Sequence, residues 1–254
     1  MRKLEEKVAL ITGSSRGIGR AIAEAFGREG AKVVVNYVSN KAAADATADA
    51  VNASGGTAVV LQADTLDPAA VRRLFDEAEQ AFGGLDIVVA NAHPGMPGIA
   101  EGAPTQLSER AIDHQLQVLK GFIITFQEAG RRVRDNGVII SLSSGTTRLA
   151  VPEHCLYSST KLAIEQLTRA LSREVAIRGV RAVTLAPGLT RTDRILGRAV
   201  GPTGSAPAPA IPTPFTRPGE PEEVADAALF LASTDARWVN TTTVYVNGGA
   251  VYAQ

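Results

Sequence analysis

Val8-Ala9-Leu10-Ile11-Thr12-Gly13-Ser14-Ser15-Arg16-Gly17-Ile18-Gly19 begins as an unbroken apolar run and ends in three closely spaced glycines. A short apolar run bounded by glycine reads as a buried strand, over residues 7–12. Residues 17–29 read as the helix that follows directly. Glycines at this junction let the chain turn tightly and let a pyrophosphate approach the helix N-terminus. There, free N–H groups and the helix dipole favour negative charge. A glycine-rich turn by itself can be a packing device. Placed between the first strand and first helix of a βαβ unit, it is a phosphate loop.

The same alternation continues outward. Residues 32–37, 57–62, 85–91, 137–143, 180–186 and 242–247 read as further strands. Residues 41–53, 68–82, 108–134, 156–178 and 221–233 read as helices, the 68–82 helix opening with Pro68 as helix starts often do. Strands that are continuous apolar runs between helices imply a parallel sheet covered on both faces. The chain has 254 residues, 45% of them hydrophobic, enough for one packed core. No composition break marks a second domain, so residues 1–254 read as one unit. Formal net charge is zero, which offers nothing to nucleic acid or another polyanion. Cys155 is the only cysteine, so an internal disulfide is excluded, in keeping with a reducing cytoplasmic setting. No stretch approaches the length of a transmembrane helix, and no cluster has metal-ligand spacing.

The second strand usually ends, in a unit that binds NAD, with an acidic residue on the ribose 2′-OH. Here that place holds Asn36, which does not repel a 2′-phosphate, and Arg16 in the glycine loop can pair with one through a forked contact. These residues point to NADP(H) rather than NAD(H). Arg16 as a solvated surface cation is the plainer alternative.

Leu156-Tyr157-Ser158-Ser159-Thr160-Lys161 puts a tyrosine and a lysine one helical turn apart on one face. A phenol with a pKa of about 10 exchanges protons poorly at neutral pH, and a neighbouring ammonium brings it toward the working range. Ser144 follows the fifth strand at the sheet's carboxyl edge, where it can meet a substrate oxygen or simply cap a turn. Residues 197–218, GRAVGPTGSAPAPAIPTPFTRP, have no helical or strand period. They follow a strand's carboxyl end, where ligands bind in such sheets, so residues 193–218 read as a substrate lid rather than an inert insertion.

The glycine loop, Asn91-Ala92, Ser144, Tyr157 with Lys161, and Pro187-Gly188-Leu189-Thr190-Arg191-Thr192 stand in the order and spacing of the short-chain dehydrogenase/reductase family. The chain resembles that family over nearly its whole length, and most closely the 3-oxoacyl-[acyl-carrier-protein] reductase-like branch. The resemblance implies a single-domain, Rossmann-type doubly wound parallel sheet of about seven strands with helices on both faces. It implies a cytoplasmic enzyme using NADPH/NADP, with Ser144, Tyr157 and Lys161 catalytic. Tyr157 exchanges the proton, Lys161 lowers its pKa and bonds the nicotinamide ribose, and Ser144 orients the substrate oxygen. Gly13, Ser15, Arg16, Gly17, Ile18 and Gly19 surround the phosphates, with Asn36 and Ser39 at the adenosine ribose. Asp64 and Thr65 meet the adenine, Asn91 lines the cleft, and Pro187, Gly188, Thr190 and Thr192 face the nicotinamide.

The substrate would be a ketone, with a 3-oxoacyl thioester among the candidates, and the assembly a homotetramer. Arg131, Arg132, Arg134 and Arg178 are candidates for docking an acyl-carrier protein. An NADP-dependent alcohol dehydrogenase and a non-catalytic NADP(H)-binding regulator are the rival readings. The family's enoyl reductases place lysine six residues after tyrosine, where this chain has Ala163. Two departures stand out. His93 replaces the glycine usual after Asn-Ala and, with His154, is a candidate substrate contact. Val118 replaces the asparagine of the fourth helix, which in the family holds a water linking the lysine to solvent. That water would then be held by backbone groups or by a neighbour such as Gln115 or Gln117, and a one-residue bulge in the helix would bring Gln117 to the place.

Overall fold

The computed structural model describes residues 2–95, 102–192 and 213–250. In chain order the elements are β1 (Val8–Ile11), α1 (Gly17–Arg28), β2 (Lys32–Tyr37), α2 (Lys41–Ala53), β3 (Thr57–Gln62), α3 (Pro68–Phe82) and β4 (Leu85–Ala90). They continue with α4 (Glu109–Arg132), β5 (Val133–Leu142), α5 (Cys155–Val175), β6 (Arg181–Pro187), α6 (Pro221–Ala232) and β7 (Thr243–Val246). Capping side chains set several boundaries. Asn40, Asp67 and Ser108 each accept a hydrogen bond from the first turn of α2, α3 and α4.

All seven strands form one parallel sheet in the order β3-β2-β1-β4-β5-β6-β7. Strand order reverses between β1 and β4, and the crevice beyond their carboxyl ends is where such sheets take ligands. The apolar strand runs serve two cores. Ala9, Ile11, Val33 and Val35 face α1, α2 and α6, while Val8, Leu10 and Val34 face α3, α4 and α5. Alternate side chains of a strand point to opposite faces, so a strand buried on both reads as a nearly continuous apolar run.

Element ends fall within one to three residues of expectation, with one larger shift. β5 begins at Val133, four residues early, because its lead-in pairs Val133 with Leu85 before a bulge restores the register at Ile87 and Val138. The last turn expected of α5 tightens into a 3-10 turn, Ala176–Arg178, ended by Gly179 in the left-handed region. Residues 193–212, most of the expected lid, lie outside the described residues. Among the described residues no helix is long and apolar enough to cross a membrane.

Candidate active site

The glycine loop is held from behind by two asparagines. The Asn36 Oδ1 accepts the Gly13 N–H at 2.9 Å, and its amide donates to the Ala63 carbonyl at 3.1 Å. The Ser14 hydroxyl accepts the Asn36 N–H at 2.9 Å and donates to the Ile11 carbonyl at 2.7 Å. From the other side, the Asn91 amide donates to the carbonyls of Thr12 at 2.8 Å and Gly13 at 3.1 Å. Two of its positions, Gly13 and Gly19, suit only glycine. Gly13 has φ of +65°, and a Cβ on Gly19 would lie 2.5 Å from the Gly13 carbonyl oxygen.

Asn36 therefore stands elsewhere than its place in the sequence implied. It is fully buried and its amide is spent on the loop, so it does not face a ribose phosphate. The side chain at this strand position points under the loop, leaving Ser39, Asn40 and Arg16 among the exposed polar groups nearby. Arg16 is the N-cap residue of α1 and gives the helix no side-chain cap. It makes no ion pair with the described residues. Among the described residues no side chain caps the leading N–H groups of α1. Together with glycines that a Cβ would obstruct, they fit a diphosphate.

Other expected contacts divide similarly. The Asp64 carboxylate accepts the Leu66 N–H at 2.9 Å and remains partly exposed, whereas Thr65 is buried against α4. A Cβ on Gly17 would lie 3.5 Å from Thr192 Cγ2, which brings the loop after β6 over the glycine loop. In that loop Pro187 and Thr190 are buried, and the Thr190 hydroxyl donates to the Gly188 carbonyl at 3.0 Å.

The chemistry-bearing residues gather at the same sheet edge. Ser144 follows β5, and its hydroxyl oxygen accepts from the Thr146 hydroxyl at 3.0 Å and the Thr146 N–H at 3.2 Å. Tyr157 and Lys161 lie on one face of α5. Lys161 is 2% exposed, and its ammonium donates to the Leu142 carbonyl at 2.7 Å and stands 5.8 Å from the centre of the Tyr157 ring. It also lies 4.8 Å from the centre of the Phe122 ring, an aromatic face that favours a cation. Phe122 is apolar in sequence and sits on a core-facing helix stripe, so nothing there signalled a role at Lys161.

His93 packs edge-to-face on Tyr157, with ring centres 5.0 Å apart. His154 is half-buried at the start of α5, one turn before Tyr157. Val118 is 2% exposed within the α3–α4–α5 core. The compensating bulge does not form: α4 is a regular α-helix throughout, and Gln117 is exposed.

The arginines proposed for a carrier protein lie at the wrong edge. Arg134 is near the amino end of β5, at the sheet edge opposite the one where Ser144 stands. Their charge is also engaged: Arg132 pairs with Asp76, Glu79 and Glu128, Arg134 with Asp86, and Arg178 with Asp135.

A family model described as enoyl-(acyl carrier protein) reductase matches residues 13–251. The chain belongs to the short-chain dehydrogenase/reductase family. As a member of this family it is an oxidoreductase acting on alcohol and carbonyl groups. A versicolorin reductase of Emericella nidulans is 38% identical, over 98% of this chain and 97% of its own. A short-chain dehydrogenase from Burkholderia cenocepacia, solved in complex with NADP, has a TM-score of 0.87 at 34% identity, covering 98% of this chain and 99% of that one. The angucycline C-6 ketoreductase LanV with bound NADP has a TM-score of 0.88 at 34% identity, covering 98% and 96%. The matching model's description names an enoyl reductase, but Lys161 follows Tyr157 by four residues, and position 163, six after Tyr157, is Ala163.

Proposed function

We propose that the chain is an NADPH-dependent ketone reductase in which Tyr157, Lys161 and Ser144 act on the carbonyl. The observation that carries this reading is the placing of a Tyr–Lys helical pair and a loop serine beside an uncapped glycine loop at one sheet edge. NADPH, when bound, supplies the hydride. The Ser144 hydroxyl, fed by Thr146, is placed to donate to the substrate oxygen. Tyr157 gives that oxygen its proton, and the Lys161 ammonium stabilises the phenolate left behind. Leu142 and Phe122 hold the ammonium in place. Arg16 would take the 2′-phosphate, Ser39 and Asp64 would serve the adenosine, and Gly188, Thr190 and Thr192 would serve the nicotinamide.

Fused-ring aromatic ketones are the favoured substrate class over 3-oxoacyl thioesters. Relatives named for versicolorin and for angucycline ketoreduction support this. The arginines suited to a carrier protein stand at the far sheet edge. A homotetramer in the cytoplasm is the assembly and setting proposed. The test is NADPH oxidation against a panel containing fused-ring aromatic ketones, simple ketones and a β-ketoacyl thioester. Turnover highest on the fused-ring ketones is expected. Preference for the thioester would move the chain to the acyl branch, and no turnover on any ketone would return it to the non-catalytic reading.

A further inference from the structure

Glu165 is a carboxylate with no solvent exposure, one turn beyond Lys161 on α5. The Ser143 hydroxyl donates to its Oε1 at 2.7 Å. Its Oε2 faces the Thr243 hydroxyl and an Arg169 nitrogen, each at 3.4 Å, and an Arg148 nitrogen at 3.9 Å. Arg148 is fixed in turn by Tyr245 on β7, whose hydroxyl accepts from Nε at 2.5 Å and whose ring lies 5.7 Å from the guanidinium.

Taking a carboxylate wholly out of water costs several kcal/mol, and an apolar residue of like size packs a helix at least as well. The position of the partners gives the carboxylate a use. Ser143 immediately precedes Ser144, and Arg148 ends the 3-10 turn, Gly145–Arg148, that follows it. Both ends of the segment carrying Ser144 are therefore tied to one side chain. That side chain belongs to the helix presenting Tyr157 and Lys161. Ser143 Oγ also lies 3.4 Å from the Lys161 carbonyl, closing the link.

We propose that Glu165 is a positioning residue for the reduction, setting the Ser144 hydroxyl against the Tyr157–Lys161 pair. This rests on the ketoreductase reading above. Glu165 touches neither substrate nor cofactor and acts only through the loop it pins. Misplacing a reacting group by about 1 Å can cost as much as 10²-fold in rate.

The experiment is a double-mutant cycle on the ketone that the wild type reduces best, with NADPH affinity measured by fluorescence titration. Glu165→Gln keeps the Ser143 contact and removes the charge pairs. It should lower kcat by about 10–100-fold while NADPH affinity holds within about threefold. Placed in a Ser144→Ala background, the same change should lower kcat by less than about threefold, because the residue it positions is gone. Arg148→Gln frees only the far end of the loop, and serves if Glu165→Gln does not fold. It should lower kcat by about 3–10-fold with the same loss of effect in Ser144→Ala. Full additivity in the double variants, or a Glu165→Gln enzyme with wild-type kcat, overturns the proposal while leaving Ser144 catalytic. A Ser144→Ala enzyme with wild-type kcat overturns the catalytic reading of Ser144 and the positioning role with it.

Discussion

Two side chains carry the proposed reduction and the proposed choice of cofactor. Removing the Tyr157 hydroxyl leaves the glycine loop intact, so Tyr157→Phe should bind NADPH as the wild type does. Its turnover should fall by about 10²–10⁴-fold, the range for a lost acid–base group. Steady-state kinetics with a separate binding titration checks both halves, and near wild-type turnover would remove Tyr157 from the mechanism. With Asn36 buried under the loop, Arg16 becomes the chief candidate for reading the 2′-phosphate. Arg16→Ala should lose about 1.5–3 kcal/mol of NADPH preference, as for a hydrogen bond to a charged group. The ratio of kcat/KM for NADPH and NADH measures it, and an unchanged ratio assigns the phosphate to Ser39 or another neighbour. The sequence pointed to Arg16 and Asn36 together, and only one is exposed. A strand's two faces are legible from its alternation, but the direction of its last side chain depends on how deeply the next loop sits. Glu165 was illegible for a related reason. A glutamate among charged helix residues looks solvated until β5, β7 and the Ser144 loop close over it. The signal available was the stripe Tyr157, Lys161, Glu165, Arg169, four residues apart on one face.

Helix ends supply the next level of control. Arg181 on β6 reaches the end of α6, donating to the Leu231 carbonyl at 2.7 Å and to that of Ser233 at 3.4 Å. Burial pulls its pKa down, and the carbonyls at the negative end of the helix favour the charge in return. Arg181→Ala should cost about 2 kcal/mol of stability, read from the midpoint of chemical denaturation. A midpoint unchanged from wild type would assign those carbonyls to solvent. At the start of α6, Arg217 donates to both Glu223 oxygens, at 2.6 and 2.8 Å, and the Glu220 N–H donates to one of them at 2.8 Å. The Arg217 pair, then the Glu220 N–H, holds the Glu223 pKa at about 2, below its ordinary 4.5. A depressed carboxylate contributes stability above its ordinary pKa and loses it as pH falls toward the folded value, here between 4.5 and about 2. NMR titration of the Glu223 carboxyl should show a midpoint near that low value, and Arg217→Gln should raise it. A wild-type midpoint at the ordinary value would mean that the pair is open in solution. Helices and strands such as these were legible because each carries its own period and caps. The early start of β5 was not, since Val133 joins the sheet through its partner Leu85 rather than through any local preference.

For the whole molecule, the proposed homotetramer would need faces that meet other copies. Trp238 is the chain's one tryptophan and is 96% exposed, and Ile177 and Phe230 are exposed as well. Apolar side chains this open are common where subunits meet. We expect the Trp238 emission to shift to shorter wavelength as protein concentration rises through assembly, followed alongside light scattering. A solvated-indole spectrum from an assembled sample would place Trp238 outside the contacts. A parallel sheet of about seven strands was readable from one chain because such strands stand out as apolar runs, whereas subunit contacts depend on surfaces that no local period marks. The two side-chain clamps described above also stand apart. Asn36 and Asn91 fasten the glycine loop to β2 and β4, while Glu165 and Arg148 fasten the Ser144 loop to α5 and β7. Among the described residues no hydrogen bond runs directly from one set to the other. Descent can act on such halves independently. A duplicated copy is free to exchange one nicotinamide dinucleotide for another while its reduction chemistry stays whole, or to explore new ketones on an inherited cofactor.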